Sequence, residues 1–521
     1  MSLINFSNKF KQRIAIYLIF FIVGALYRFW LISNNNVLFW FDQGRDAIIV
    51  KQMVDEKDIK IQGPSASGTD DAVYHGVLYY YLIAPLYALA EGNPQIVSGL
   101  LGVISMLALI PIGELAWQLS KSKYAFVLTL FLFTFSTDSA QLGTWLSNPM
   151  IALITIPAFY YYLYRVFWQN KTNEAWLLAL FLGLSHQAII FALYLFGVLI
   201  IAWWFRNNQG HKLRFSRKEL ISSGLIYLAS ISTMLVTQLQ LAVRGIFNPL
   251  SFFNKLSSTG LAPSEILIGT SSNYLKIITQ SLFPTMPLLS IFFFLGIIWF
   301  VVKKLSKKNG FLFLLFFLGP IILFTLQYRD SYYTFIGVAP LLYVFAALFL
   351  LFIKDKLYLG KFIVFVILML FLMTNIKELR YSNKTGYHPV AIQTGTILKD
   401  QLELIDYTYQ VASFEPFSFS SFTAPYDYNT TWAYLYGWYG NKTYSYTPKF
   451  IGPSQTGIFG GDLLEEDKIP DQGPHFALYE PLGGIAEHLL KNFVDRQNGF
   501  SIKQSEKLFG SMAVEERLVF N

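Results

Sequence analysis

Long apolar runs separated by short charged loops organise the chain up to residue 376. They lie at 14–32, 94–118, 124–142, 148–167, 175–187, 189–205, 219–241, 287–302, 311–327, 333–353 and 361–376. About 20 apolar residues in helix cross ~30 Å of hydrocarbon, so the pattern predicts about eleven transmembrane helices. The stretch 175–205 is too long for one straight span and reads as two short helices. From Lys377 turn residues and charges return. Alternation over Tyr407–Ser413, His475–Tyr479 and Met512–Val519 predicts strands. Residues 484–494, with Ile485, His488, Leu489 and Leu490, predict a short amphipathic helix. The expected architecture is an α-helical polytopic membrane protein over residues 1–376 with a small C-terminal α/β soluble domain over residues 377–521.

Composition narrows the class. The 521 residues are 54% hydrophobic and 14% charged, against about 25% charged in soluble domains. That excludes a soluble enzyme or a disordered scaffold for most of the length. Residues 377–521 carry 12 Lys+Arg and 17 Asp+Glu, a balance of −5, whereas residues 1–376 carry 28 and 15, a balance of +13. The net +8 therefore marks basic inner loops joined to an acidic tail, and no nucleic-acid partner is expected. There is no cysteine, which excludes disulfides, thiolate zinc sites and cysteine nucleophiles.

Loop charges set the sides. Lys9, Lys11 and Arg13 precede the first span, and no cleavage site follows it, so it reads as an uncleaved span with a cytoplasmic N-terminus. Lys121 and Lys123 mark a second inner loop; Arg206, Lys212, Arg214, Arg217 and Lys218 a third; Lys303, Lys304, Lys307 and Lys308 a fourth; Lys354, Lys356 and Lys361 a fifth. Alternation leaves 34–75, 143–148, about 187, 244–286, 328–332 and the tail on the extracytoplasmic side of a plasma or inner membrane. The apolar segment 76–90 would add a twelfth span and move the N-terminus out, so it reads as interfacial or re-entrant. Arg28 is expected to snorkel to headgroups, and Glu114 and Asp138 to be solvated near helix ends.

The first outer loop, 34–75, holds the candidate chemistry. It begins Phe41-Asp42-Gln43-Gly44-Arg45-Asp46-Ala47 directly after the first span, and a helix is expected there with Ile49, Val50, Met53 and Val54 apolar. Asp42 and Asp46 are four apart and share a face of that helix. Two roles fit Asp42: an N-cap, or a base that takes the proton of an acceptor hydroxyl. Ionisable groups held at a membrane boundary are functional candidates. The loop continues through Asp70 and Asp71 to His75-Gly76. In the tail, segment 425–447 is rich in Tyr and Trp, which suits core and interface packing or stacking on sugar rings.

The order of motifs resembles the GT-C glycosyltransferases, in particular the family-39-like branch with protein O-mannosyltransferases and lipid A aminoarabinose transferases. The resemblance covers most of 14–376. It rests on Phe41-Asp42-Gln43-Gly44-Arg45-Asp46 after the first span, His75-Gly76-Val77-Leu78-Tyr79-Tyr80-Tyr81, Leu146-Ser147-Asn148-Pro149, Gly183-Leu184-Ser185-His186-Gln187, and Tyr328-Arg329-Asp330-Ser331-Tyr332-Tyr333 before a span containing Pro340. Departures are Gln43 where the family often has a second acid, Val77 in place of Pro, and no histidine in 328–333.

The resemblance implies an inverting glycosyltransferase, hexosyl or pentosyl. Its donor would be a sugar on polyprenyl phosphate, with membrane lipids around it, and its acceptor a hydroxyl of a lipid, glycan or protein. Asp42 matches the family's acid and is the implied base, with the second acid either missing or supplied by Asp46. The departing phosphate calls for cations or hydrogen-bond donors. The substrate-binding candidates are Arg45, His75, Asn148, His186, Arg244, Arg329 and Tyr333. His186 also fits a satisfied helix-end histidine, Asn148 a cap before Pro149, and Arg329 a pair with Asp330. A monophosphate leaving group does not demand a divalent ion, and there is no His cluster. No cofactor or metal is expected, although Asp42, Asp46, Asp70 and Asp71 suit a hard cation.

The alternatives are a transporter or flippase of lipid-linked sugars and an O-antigen polymerase or ligase. The first would show internal repeats and broken mid-membrane helices. The second would carry more arginine than Arg244, Lys255 and Lys276 bring to loop 244–286. No P-loop, Rossmann glycine pattern, HExxH or serine elbow stands in suitable context.

Overall fold

Apolar helices form where the long apolar runs stand. The computed structural model describes residues 2–66, 73–209, 213–245, 263–321, 332–471 and 473–520. Among these, eight helices are long and apolar enough to cross a membrane: Lys11–Asn35, Pro94–Ser120, Asn148–Gln169, Ile190–Asn208, Arg217–Val243, Pro287–Lys304, Val338–Lys356 and Gly360–Thr385. The segment expected as one span over 124–142 is two helices, Lys123–Phe135 and Thr137–Thr144, bent by 60°, and counting that pair gives nine. The bend falls at Ser136, whose hydroxyl accepts the Ser139 N–H at 3.2 Å and so starts a new helix. The count of about eleven is therefore not reached by length alone. Of the other expected spans, 175–187 is the short helix Ala175–Ala188, and 311–327 begins as Lys307–Leu318 and runs into residues outside the description.

Helix Leu78–Leu89 has 12 residues. At 1.5 Å per residue it falls well short of ~30 Å of hydrocarbon. The expected outer loop 244–286 contains the helix Pro263–Ser281. Helix Val338–Lys356 lies in the middle of the bundle with most of its side chains buried, whereas Arg217–Val243 buries only Met234, Thr237 and Leu241. The latter presents Leu225, Leu228 and Leu239 outward, as a lipid-facing helix does.

Two charged side chains are placed differently from expectation. Arg28 does not snorkel; it is fully buried, with Nε donating to Ser105 Oγ at 2.9 Å and Nη2 to the Ser139 carbonyl at 3.3 Å. Gly102 and Gly143 open its slot, since a Cβ on either would stand 3.2–3.3 Å from Arg28 atoms. Asp138 is not solvated at a helix end. It is buried, accepting from the Tyr332 hydroxyl at 2.7 Å and Ser281 Oγ at 3.0 Å. Glu114 is half-buried and pairs with Arg13 at 3.1 Å.

The tail is a mixed α/β unit. Strands β1 (Ser418–Phe422), β2 (Lys449–Ile451), β3 (Glu466–Asp467), β4 (Pro474–Tyr479), β5 (Ser501–Phe509) and β6 (Met512–Val519) form one sheet in the order β3-β2-β1-β4-β6-β5. Pairs β1–β2, β2–β3 and β1–β4 are parallel; β4–β6 and β5–β6 are antiparallel. All of β1 is buried, as a strand covered on both faces must be. Two of the expected strands, β4 and β6, and the expected helix, Glu487–Asn498, are present. The third expected strand, Tyr407–Ser413, is instead the end of helix Leu398–Val411. Its buried Leu398, Gln401, Leu402, Ile405, Thr408 and Tyr409 follow the helical period, which overrides the short alternation.

The tail is seated on the loops between spans. Gln401 Nε2 donates to the Phe39 carbonyl at 2.8 Å, the Trp40 indole to the Thr396 carbonyl at 3.1 Å, and the Tyr434 hydroxyl to the Gly92 carbonyl at 2.6 Å. These contacts place the tail and the first interhelical segment on one side of the bundle.

Candidate active site

Leaving the first span, the chain turns through Asn34 and Asn35, both with positive φ (61° and 56°), a region asparagine tolerates better than most residues. Asn36 Nδ2 then donates to the carbonyls of Leu31 and Ser382 at 3.0 and 2.9 Å. Helix Phe41–Asp55 follows, with Trp40 at the N-cap. Asp42 is therefore in the first turn, where a carboxylate suits the helix dipole, but is not the cap. Gln43 starts the helix: its Oε1 accepts the Trp40 N–H at 3.0 Å and its Nε2 donates to the Leu146 carbonyl at 3.1 Å. Gln43 thus ties this helix to the turn before Asn148.

Arg45 joins the two carboxylates. Nη1 reaches Asp42 Oδ1 at 2.7 Å, while Nη2 and Nε reach Asp46 Oδ1 at 2.8 and 2.9 Å. The two acids sit in opposite environments, with the Asp42 side chain 61% exposed and that of Asp46 4%. Burial pushes the Asp46 carboxyl up to about 6, against the pull of Arg45; the Tyr80 hydroxyl donates to it at 3.3 Å. Burial disfavours the Arg45 charge, but Asp46 and Asp42 outweigh it and hold the guanidinium protonated.

Arg45 opens onto a cavity of about 720 Å³. The body contributes Phe41, Lys60 and Tyr80; the tail contributes Tyr428, Ile458 and Phe459. Phe41 and Tyr428 meet edge to face at 5.7 Å. The tail thus forms part of the wall. Lys60 escaped the sequence reading. Its Nζ stands 2.5 Å from Asp58, and its carbonyl accepts the Tyr81 hydroxyl at 2.9 Å. No local pattern sets it apart from Lys51 and Lys57 of the same loop.

The other candidates lie elsewhere. His75 is buried; its Nδ1 accepts the Ile190 N–H at 3.1 Å, and burial, then Arg45, pushes it down to about 4, so it stays neutral. Gly76 has no room for a side chain, since a Cβ would stand 1.7 Å from Gln187 Oε1. Asn148 Nδ2 donates to the Ala188 carbonyl at 2.5 Å. His186 bonds the Tyr227 hydroxyl and the Ala192 carbonyl, both at 3.1 Å. These residues fasten the break between Ala175–Ala188 and Tyr194–Asn208 to its neighbours and do not line the 720 Å³ cavity. Tyr333 packs on Trp145 at 5.9 Å, and Trp145 on His388 at 6.0 Å. Arg244 is exposed at the end of Arg217–Val243. Arg329, Asp70 and Asp71 fall outside the described residues. Among the described residues no group of three or more His, Asp or Glu stands ready for a metal ion.

No protein-family model and no curated protein matches the chain. Solved structures do. The chain is similar to ArnT from Cupriavidus metallidurans bound to undecaprenyl phosphate, with TM-score 0.55, 11% identity, and 96% of this chain and 98% of that one covered. It is similar to the apo state of the same protein with TM-score 0.56 and 10% identity, over 96% and 97% of the two chains. At such identity the likeness concerns the fold alone: over nearly its whole length this chain has the fold of ArnT.

Proposed function

We propose that the protein is an inverting membrane glycosyltransferase that moves a sugar from a polyprenyl-phosphate donor to an acceptor hydroxyl on the extracytoplasmic face. The observation that carries this is the Asp42–Arg45–Asp46 constellation, whose Arg45 lines a cavity walled jointly by the first interhelical segment and the tail. A full-length likeness to ArnT, solved with undecaprenyl phosphate, supports the donor class.

Asp42, the exposed carboxylate, takes the proton of the acceptor hydroxyl. The freed oxygen attacks the anomeric carbon as the bond from that carbon to the phosphate oxygen breaks, so one displacement inverts the centre. The lipid phosphate leaves with both electrons of that bond, and cations facing the cavity meet its charge: Arg45 and Lys60. Asp46 is a positioning residue that acts through Arg45. The cytoplasmic N-terminus and extracytoplasmic tail complete the reading.

Asp42→Asn in proteoliposomes supplied with a polyprenyl-phosphate sugar should insert normally and lose transfer by several orders of magnitude. Near-wild-type transfer by that variant would sink the assignment of the base.

A further inference from the structure

We propose that the seam between the first interhelical helix and the tail is a saccharide-binding groove that holds the acceptor's glycan away from the reaction cavity. A cavity of about 420 Å³ lies in the seam and joins one of about 710 Å³ walled by the tail alone, the two sharing Gly437, Asn441 and Leu463. Each falls in the ~300–1,000 Å³ range of ligand sites. The first lies against Val50, Lys51 and Val54 of helix Phe41–Asp55, the face opposite Arg45 and Ile49.

The floor is a π-turn, Tyr436–Gly440, an irregularity frequent at functional sites. Its two glycines differ. Gly440 is forced, because a Cβ would stand 2.7 Å from the Tyr409 hydroxyl. Gly437 is not: a Cβ there meets nothing nearer than Leu463 Cβ at 3.8 Å, and its φ lies outside the left-handed region. A glycine inside a helix costs roughly 0.5–1 kcal/mol against alanine, so folding alone favours a side chain at 437. What its absence leaves is open groove.

The lining suits a sugar chain. Trp438 stacks on Tyr434 at 6.2 Å, and its indole N–H is held by the Glu91 carbonyl at 2.9 Å, which fixes the ring in the wall. Such rings accept the C–H face of a sugar while polar neighbours take its hydroxyls. Five carboxylates face three lysines across the two cavities. Lys442 pairs with Glu91 at 2.6 Å and Lys449 with Asp471 at 2.9 Å. That balance repels an anionic polymer and fits a neutral or amino-sugar chain.

The inference rests on the transferase reading only for the word acceptor, and its test uses no donor. Full-length protein in nanodiscs is passed over an array of bacterial cell-envelope oligosaccharides. Wild type should be retained by at least one neutral or amino-sugar oligosaccharide. Gly437→Leu, which fills the groove, and Asn441→Ala, which alters an exposed side chain, should each lower retention at least tenfold with melting no lower than that of wild type. No retention of wild type, or equal retention of both folded variants, overturns the groove. Retention by the groove in a protein that transfers no sugar supports the groove and counts against the transferase reading instead.

Discussion

Gly44 of the first interhelical helix lies directly against Thr431 of the tail: a Cβ at position 44 would stand 3.1 Å from the Thr431 Cα and 3.4 Å from the Thr430 carbonyl oxygen. The obstacle is backbone and cannot rotate away. Glycine is otherwise a poor choice inside a helix, so close approach explains it. Gly44→Leu should lever the tail off the helix, with an overpacking cost of about 1–3 kcal/mol. Tail cleavage in limited proteolysis should speed up, and transfer should fall because Tyr428 and Phe459 leave the cavity wall. A more stable Gly44→Ala protein would show that the approach is looser than this.

Asp46 predicts opposite pH trends for activity and stability. Its carboxyl is raised from 3.8 to about 6, chiefly by burial. Below pH ~6 it takes a proton and loses the charge that anchors Arg45. Transfer should therefore decline as pH falls through about 6, and Asp46→Asn should be slow with that limb flattened. Stability runs the other way. A carboxyl with a raised folded pKa binds its proton more tightly when folded, so this group destabilises most above pH 6 and less as pH falls toward 4. Rate–pH profiles and melting temperatures over pH 4–8, for wild type and Asp46→Asn, check both. A wild-type rate flat through pH 6 would remove Asp46 from the mechanism.

Lys60 should act on the donor's phosphate. Charge-assisted hydrogen bonds contribute about 1.5–3 kcal/mol, so Lys60→Ala should lower kcat/KM for the lipid-phosphate sugar by roughly 10- to 100-fold. It should also weaken inhibition by free undecaprenyl phosphate, while Lys60→Arg keeps most of both. Unchanged inhibition in Lys60→Ala would assign the phosphate to another cation.

The membrane class, the acidic motif and the α/β tail were legible because each is a local pattern. Sustained hydropathy reveals a span, and Asp42, Arg45 and Asp46 are fixed relative to one another by one helix. What was not legible depends on distant partners. Arg28 resembles a snorkelling residue until Gly102 and Gly143 open a slot for it. Asp138 resembles a solvated helix end until Tyr332 and Ser281 arrive from far along the chain. Tyr428 and Phe459 reach the Arg45 cavity only because the tail folds back over it. Tyr407–Ser413 failed for a different reason: seven residues of alternation are too short a window against a 14-residue helical period.

The whole outer-face reading depends on which side the tail occupies, and the cysteine-free sequence makes that directly testable. Lys468 lies exposed in the tail, and Lys307 is exposed at the start of helix Lys307–Leu318, just after helix Pro287–Lys304. Basic loops stay in the cytoplasm, and four lysines cluster at 303–308. A membrane-impermeant thiol reagent applied to intact spheroplasts should therefore label Lys468→Cys and spare Lys307→Cys, which should react only after permeabilisation. With no native thiol in the chain, any label reports the introduced one. Since Gly44 and Thr431 bring the tail against the helix of Asp42, labelling of Lys468→Cys also locates the proposed base. The reverse pattern would put Asp42 on the cytoplasmic face and overturn the extracytoplasmic site.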